Sequence, residues 1–95
     1  MELGEDLRGV RIMAVYIIML KDYEDEERVV YSYGPSEDVM GKIEYDKKNE
    51  VINQISAIVS ENYTDEFFFK RAGRRLARMI IKENGNFVEK TTIES

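Results

Sequence analysis

Nine apolar residues, from Ile12 to Leu20, follow one another without a polar interruption and set the strongest limit on the fold. The run is less than half of the roughly 20 residues that a membrane-spanning helix needs. Acidic rather than basic residues precede it, which argues against a signal peptide. Its Val, Ile, Met and Tyr residues favour a strand, and both alternating sets of side chains are apolar, which is typical of a strand covered on both faces. The sequence therefore predicts a central strand over residues 10–20.

The residues that the chain lacks exclude most catalytic chemistry. None of the 95 residues is Cys or His, so a disulfide scaffold, a thiolate nucleophile and an imidazole base are excluded. The six glycines match no phosphate-binding loop. A pair of carboxylates remains able to catalyse, but none of the 19 acidic residues stands in a recognisable motif. We therefore expect a protein that is not an enzyme and that has no catalytic residues, no cofactor and no metal site.

The length and composition favour one domain. A chain of 95 residues, 43% of them hydrophobic, is long enough for a single core and too short for two. Residues 1–7 are polar and acidic, so we expect a flexible N-terminal segment there and a single α+β domain over residues 8–95. Because no targeting segment is recognisable, a cytoplasmic location is the expectation.

Two further segments carry a clear strand pattern. Residues 28–33 place Val29, Tyr31 and Tyr33 on one face, and residues 40–46 alternate in the same way. Between the first two strands, residues 22–27 hold five carboxylates in six positions, whose mutual repulsion predicts a solvated hairpin loop. The antiparallel order of strand, hairpin and strand is typical of a meander.

Residues 50–59 fit two structures. Their apolar residues have helical spacing, with Asn49 as a suitable N-cap, so a helix remains open. Their many β-branched residues, which follow a short polar turn, favour a fourth strand that pairs with the third. We favour the strand.

Residues Thr64–Glu83 predict a long amphipathic helix. Thr64 is a suitable N-cap, the acids Asp65 and Glu66 complement the helix N-terminus, and Asn84–Gly85 provides a left-handed stop. At about 100° per residue, one side of this helix is apolar. That side comprises Phe68, Phe69, Ala72, Gly73, Leu76, Met79 and Ile80. The predicted fold is therefore α+β: an antiparallel meander of about four strands, a possible fifth edge strand over residues 87–93, and one helix packed on one face.

The other side of the helix is strongly basic. Six of the 14 basic residues lie within Lys70–Lys82, which contains no acid. The rest of the chain holds the other eight basic residues and all 19 acids. Because arginine forks match the geometry of phosphate, the candidate anion-binding or nucleic-acid-binding residues are Arg71, Arg74, Arg75 and Arg78. The alternative is a solvated face that pairs weakly with acidic loops. The acidic remainder makes nucleic acid the less favoured partner, and no membrane partner is expected because the apolar side is needed for the core.

One helix covers only one face of a sheet, which leaves a face for residues 50–59, for the tail or for association. Tyrosine is common at interfaces because it combines an apolar ring with a polar tip. The candidate interface is therefore Val29, Tyr31 and Tyr33. The sequence predicts a small non-catalytic protein-binding or assembly module that pairs with itself as a homodimer, or with another protein. Anion or nucleic-acid binding through the basic face of the helix is the alternative.

Overall fold

The computed structural model of the protein describes residues 16–94, which form a five-stranded antiparallel sheet with one helix packed on it. The elements are β1 (Tyr16–Glu24), β2 (Arg28–Ser36), β3 (Val39–Asp46), β4 (Val51–Ser56), α1 (Asp65–Ile81) and β5 (Lys90–Glu94). The strands lie in the order β4-β3-β2-β1-β5. The predicted α+β meander is therefore confirmed, and the possible fifth strand is present at the edge beside β1.

The predicted central strand lies between two neighbours, as expected. β1 pairs with β2 on one side and with β5 on the other. Ile17 and Met19 are fully buried under the helix, whereas Ile18 and Leu20 are half-buried on the opposite face. The predicted residues 10–15 of this strand, and the predicted flexible segment 1–7, lie outside the described residues.

Several boundaries differ from the sequence-based expectation, including the start of β5, which is Lys90 rather than residue 87. The first hairpin turn is shorter, because β1 continues to Glu24 and the Asp25 carboxylate closes the turn by accepting the backbone amides of Glu27 and Arg28 at 2.8 and 2.9 Å. β2 continues through Pro35, which is tolerated because the register is irregular there. The helix ends two residues earlier than predicted, at Ile81, and Asn84 and Gly85 follow it with the left-handed φ values of 58° and 73°.

The ambiguous segment is a strand. Residues 51–56 form β4, which pairs with β3 and leaves its other edge open within the described residues. Pairing with an existing strand satisfies the backbone of β-branched residues that lose side-chain freedom in a helix.

The core lies between α1 and the sheet. The helix crosses β1, β2 and β3 and buries Phe68, Ala72, Leu76 and Met79 against them. These residues belong to the apolar side that helical periodicity predicts, so the amphipathic helix is confirmed. From β4 the chain crosses the sheet as α1 and returns as β5 at the opposite edge.

The candidate interface residues lie inside this core. Val29, Tyr31 and Tyr33 are 0% exposed between β2 and α1, so the prediction that they form an uncovered association surface is wrong. The physical reason is that each tyrosine hydroxyl reaches a partner at the edge of the core. Tyr31 donates to the carbonyl oxygen of Val88 at 2.6 Å, and Tyr33 donates to the carboxylate of Asp65 at 2.6 Å. With the hydroxyl satisfied, the ring is free to act as a large core residue.

The face of the sheet opposite α1 is less deeply buried than the face that packs on the helix. Within residues 16–94 no helix lies on it, and Ile18, Leu20, Val30 and Met40 are half-buried there. No helix in the described part of the chain is long and apolar enough to cross a membrane.

Leu76 provides a direct test of the core. We expect Leu76→Ala to lower the free energy of unfolding by about 2–5 kcal/mol, because it removes fully buried methyl groups and leaves a cavity. Ile81→Ala is the matched control on the same helix. Ile81 is 73% exposed, so its truncation should change stability by less than about 0.5 kcal/mol. Urea denaturation followed by circular dichroism measures both, and equal losses would contradict this packing of the helix.

Candidate anion-binding groove

The structure brings all four candidate arginines to one groove. Arg71, Arg74, Arg75 and Arg78 follow the i, i+3, i+4, i+7 spacing that places side chains on one stripe of a helix. Opposite them stand Ile93 and Glu94 of β5. The six residues line an open groove of about 340 Å³, which we call the arginine groove.

The fold positions this groove through the apolar side of α1. Burial of Leu76 and its neighbours sets the rotation of the helix about its own axis. β5 then lies at the sheet edge beside β1, and its partly buried Ile93 packs at the margin of the core. The arginine stripe is consequently directed toward the edge strand, where the helix and β5 form the two walls of the groove.

The four guanidinium groups have different surroundings. Arg75 is half-buried and its Nη1 lies 3.1 Å from Oε2 of Glu83. The guanidinium carbon of Arg71 lies 3.9 Å from the centre of the Phe67 ring. Arg74 and Arg78 are exposed, and within residues 16–94 their side chains make no ion pair. The two exposed arginines therefore have donors available for a ligand.

A second groove adjoins the first and shares Arg74 and Arg78 with it. Its remaining walls are Ala77, Ile81 and Lys82, and its volume is about 310 Å³. We call it the Ile81 groove. Most of its exposed lining is apolar, so the two grooves together present cations beside a small apolar surface.

A carboxylate at the start of α1 fixes the helix to the sheet. Oδ1 of Asp65 accepts hydrogen bonds from the Tyr33 hydroxyl at 2.6 Å and from the Ile58 backbone amide at 2.8 Å. Oδ2 accepts a hydrogen bond from the Gln54 amide at 2.5 Å. Partial burial opposes ionisation of Asp65, but these three donors outweigh it and lower the pKa of the carboxyl below its ordinary value of 3.8.

Two details make this anchor possible. A Cβ at Gly41 would lie 2.8 Å from the hydroxyl oxygen of Tyr33 and 2.7 Å from the Ser56 carbonyl oxygen, so only glycine admits the tyrosine at this position. Burial is the main cause that raises the pKa of Tyr33, and the hydrogen bond to Asp65 adds to it. The hydroxyl therefore stays protonated and remains a donor. The predicted N-cap residue Thr64 precedes the helix but makes no side-chain capping bond. Asp65 holds the N-terminus of the helix instead.

A polar cluster on the other sheet face joins three strands. The Ser32 hydroxyl donates to Oδ2 of Asp22 at 2.8 Å and accepts from Nζ of Lys42 at 3.0 Å. Lys42 also forms an ion pair with Asp22. A lysine that is to activate a serine must accept the hydroxyl proton, whereas Lys42 donates to Ser32 and is paired with a carboxylate. The cluster therefore cross-links β1, β2 and β3.

The remaining carboxylates do not gather into a site. Within residues 16–94, no three acidic residues converge in a way that could hold a metal ion. In the predicted acidic loop, Glu24 pairs with Lys21 and Lys47 at 2.7 and 2.8 Å, and Asp25 is used by the turn. Both ion pairs are partly exposed, so solvent screens them and each contributes only modestly to stability.

Sequence reasoning named the arginines but missed the groove's other wall. Ile93 and Glu94 were visible only as the end of a possible edge strand, and Glu83 only as the end of the helix. The only signal for this wall was the alternating pattern of the tail, which predicts a strand at an edge of the sheet. That pattern does not specify which edge of the sheet the tail joins. No protein-family model, no curated protein and no solved structure matches the chain.

Asp65 generates a prediction about pH. Because its pKa is lowered in the folded state, the ionised carboxylate stabilises the fold fully above its ordinary pKa, and this contribution is lost as pH falls through the lowered value. Asp65→Asn should therefore lower the free energy of unfolding by about 1–3 kcal/mol at neutral pH. The difference from the wild type should shrink below about pH 4.

Denaturation in urea at a series of pH values measures this difference. Asp38→Asn is the matched control, because Asp38 is an exposed carboxylate in the turn between β2 and β3. It should leave stability nearly unchanged at neutral pH. A destabilisation by Asp65→Asn that stayed constant into strong acid would mean that the charge of Asp65 does not stabilise the fold.

Proposed function

We propose that the protein is a non-catalytic binding module that holds anionic groups in the arginine groove. The observation that carries this proposal is the convergence of four arginines on one groove, two of which make no ion pair within the described residues. A guanidinium fork offers paired donors that match two oxygens of a phosphate or a carboxylate. Such a site binds without any catalytic group.

The arrangement supports a ligand with several negative charges. Glu83 already compensates Arg75, and Glu94 stands in the opposite wall of the groove. A single negative charge would meet both attraction and repulsion there, whereas a ligand with several charges can engage Arg74 and Arg78 together. Pyrophosphate and the backbone of single-stranded RNA share this chemistry.

Self-association, the other function that the sequence predicts, stays a prediction. Its surface cannot be the one that carries Val29, Tyr31 and Tyr33, because those residues lie in the core. Any self-association surface must use exposed residues elsewhere.

Calorimetric titration with pyrophosphate tests the proposal. We expect binding by the wild type and a loss of affinity of about tenfold for each arginine removed in Arg74→Ala/Arg78→Ala, because each loss removes charge-assisted hydrogen bonds. The matched control is Lys48→Ala/Lys70→Ala, which removes the same charge from two exposed lysines outside the groove. It should bind as the wild type does.

Two further measurements complete the test. Binding should weaken as salt rises, as expected of a contact between charges. Titration with a single-stranded RNA oligonucleotide identifies the source of the phosphate: tighter binding than pyrophosphate points to a nucleic acid backbone, and weaker binding to a small anion. If neither probe binds, or if the lysine and arginine variants lose affinity equally, the arginine groove is not an anion site.

A further inference from the structure

The end of the first hairpin is the most acidic exposed part of the described chain. We call residues 23–27 the acidic hairpin; it holds four carboxylates and one tyrosine. Glu24 forms ion pairs with two lysines. Asp25 accepts hydrogen bonds from the Tyr23 hydroxyl and from a backbone amide of the turn. Glu26 and Glu27 are exposed, and their side chains make no hydrogen bond or ion pair within residues 16–94. The ring of Tyr23 is 52% exposed.

The acidic hairpin and the β5 wall of the arginine groove lie at opposite ends of β1. Tyr16, at the start of the strand, pairs with Glu94 in the wall of the groove. Glu24, at the end of the strand, stands at the hairpin. Tyr16 and Glu24 are eight residues apart, which corresponds to about 26 Å along an extended strand. The β5 wall of the groove and the hairpin are therefore separated by nearly the whole length of β1.

We propose that the anionic partner of the arginine groove is the acidic hairpin of a second copy of this chain. The proposal rests on the anion-binding function of the groove and names its partner. Arg74 and Arg78 would meet Glu26 and Glu27, and none of these four side chains has an ion pair within residues 16–94. The exposed ring of Tyr23 supplies apolar area for the adjoining Ile81 groove, whose lining is mostly apolar.

This contact joins two different surfaces, so it is head-to-tail. Each copy keeps a free hairpin at one end and a free groove at the other, and such contacts build rings or open chains of subunits. The charge of the molecule favours this arrangement. The basic residues of α1 are concentrated on one element of a chain whose net charge is −5, so a symmetric contact would place like charges together.

Sedimentation velocity of the full chain at two salt concentrations provides the first test. At about 0.01 M salt, where the screening length is about 30 Å, we expect species larger than a monomer. At about 1 M salt, where that length is about 3 Å, we expect a monomer. Pyrophosphate should also dissociate the assembly, because it competes for the same arginines. A monomer at low salt overturns the proposal.

Paired variants give the sharper test. Arg74→Ala/Arg78→Ala lacks a working groove, and Glu26→Gln/Glu27→Gln lacks a working hairpin, so each alone should be monomeric at low salt. Mixed together, they should form a dimer and nothing larger, because only one productive contact remains. A mixture that stays monomeric, or either variant assembling by itself, contradicts a head-to-tail contact. Circular dichroism of each variant confirms that it is folded.

A matched control separates the hairpin from general acidity. Glu37→Gln/Asp38→Asn removes two exposed carboxylates from the other strand-to-strand turn, and assembly should persist. The outcomes also distinguish this proposal from the function of the groove. Pyrophosphate binding by a protein that is monomeric at low salt overturns the self-contact and leaves anion binding standing. Assembly that pyrophosphate does not disturb places the contact outside the groove.

Discussion

One helix has to bury its apolar side on one face of a five-stranded sheet, and the other features of the molecule depend on that packing. Phe68, Leu76 and Met79 turn toward the sheet because their burial is the main stabilising contribution available to so small a domain. Once the apolar side of the helix faces the sheet, helical geometry fixes the directions of its other side chains. The arginines are then carried to the edge where β5 joins the sheet.

The packing also explains how two tyrosines come to be fully buried. Tyr31 and Tyr33 extend from β2 under the helix, and their hydroxyls leave the core at opposite sides of it, toward Val88 and Asp65. Burial raises the pKa of Tyr31 to about 12, so its hydroxyl remains protonated and keeps its role as a donor. The same hydrogen bond that satisfies Tyr33 holds the N-terminus of α1. Core packing and helix placement are thus parts of one arrangement.

Much of the fold could be predicted because its signals are local. The strand alternation of residues 40–46, the periodicity of α1 and the left-handed turn at Asn84–Gly85 depend on neighbours a few residues away, and the structure confirms them. The role of Tyr31 could not be predicted in this way. Tyrosine suits a core and an interface equally well, and the choice depends on which face the helix covers and whether a distant carbonyl lies within reach. The convergence of Ile93 with the arginines likewise depends on the sheet edge that the tail joins.

For the proposed anion-binding function, the charges at the groove favour one kind of ligand. Glu83 lies 3.1 Å from Arg75, so one arginine already binds a carboxylate within its own chain, and Glu94 opposes the stripe from β5. These two carboxylates reduce the attraction for a single negative charge. Arg74 and Arg78, one helical turn apart, remain on the solvent side. A ligand gains most when it places two negative charges at that spacing, because each charge then meets its own guanidinium and displaces no ion-pair partner from the described part of the chain. Under the proposed function, this geometry therefore favours a second charge on the ligand rather than any particular phosphate or carboxylate.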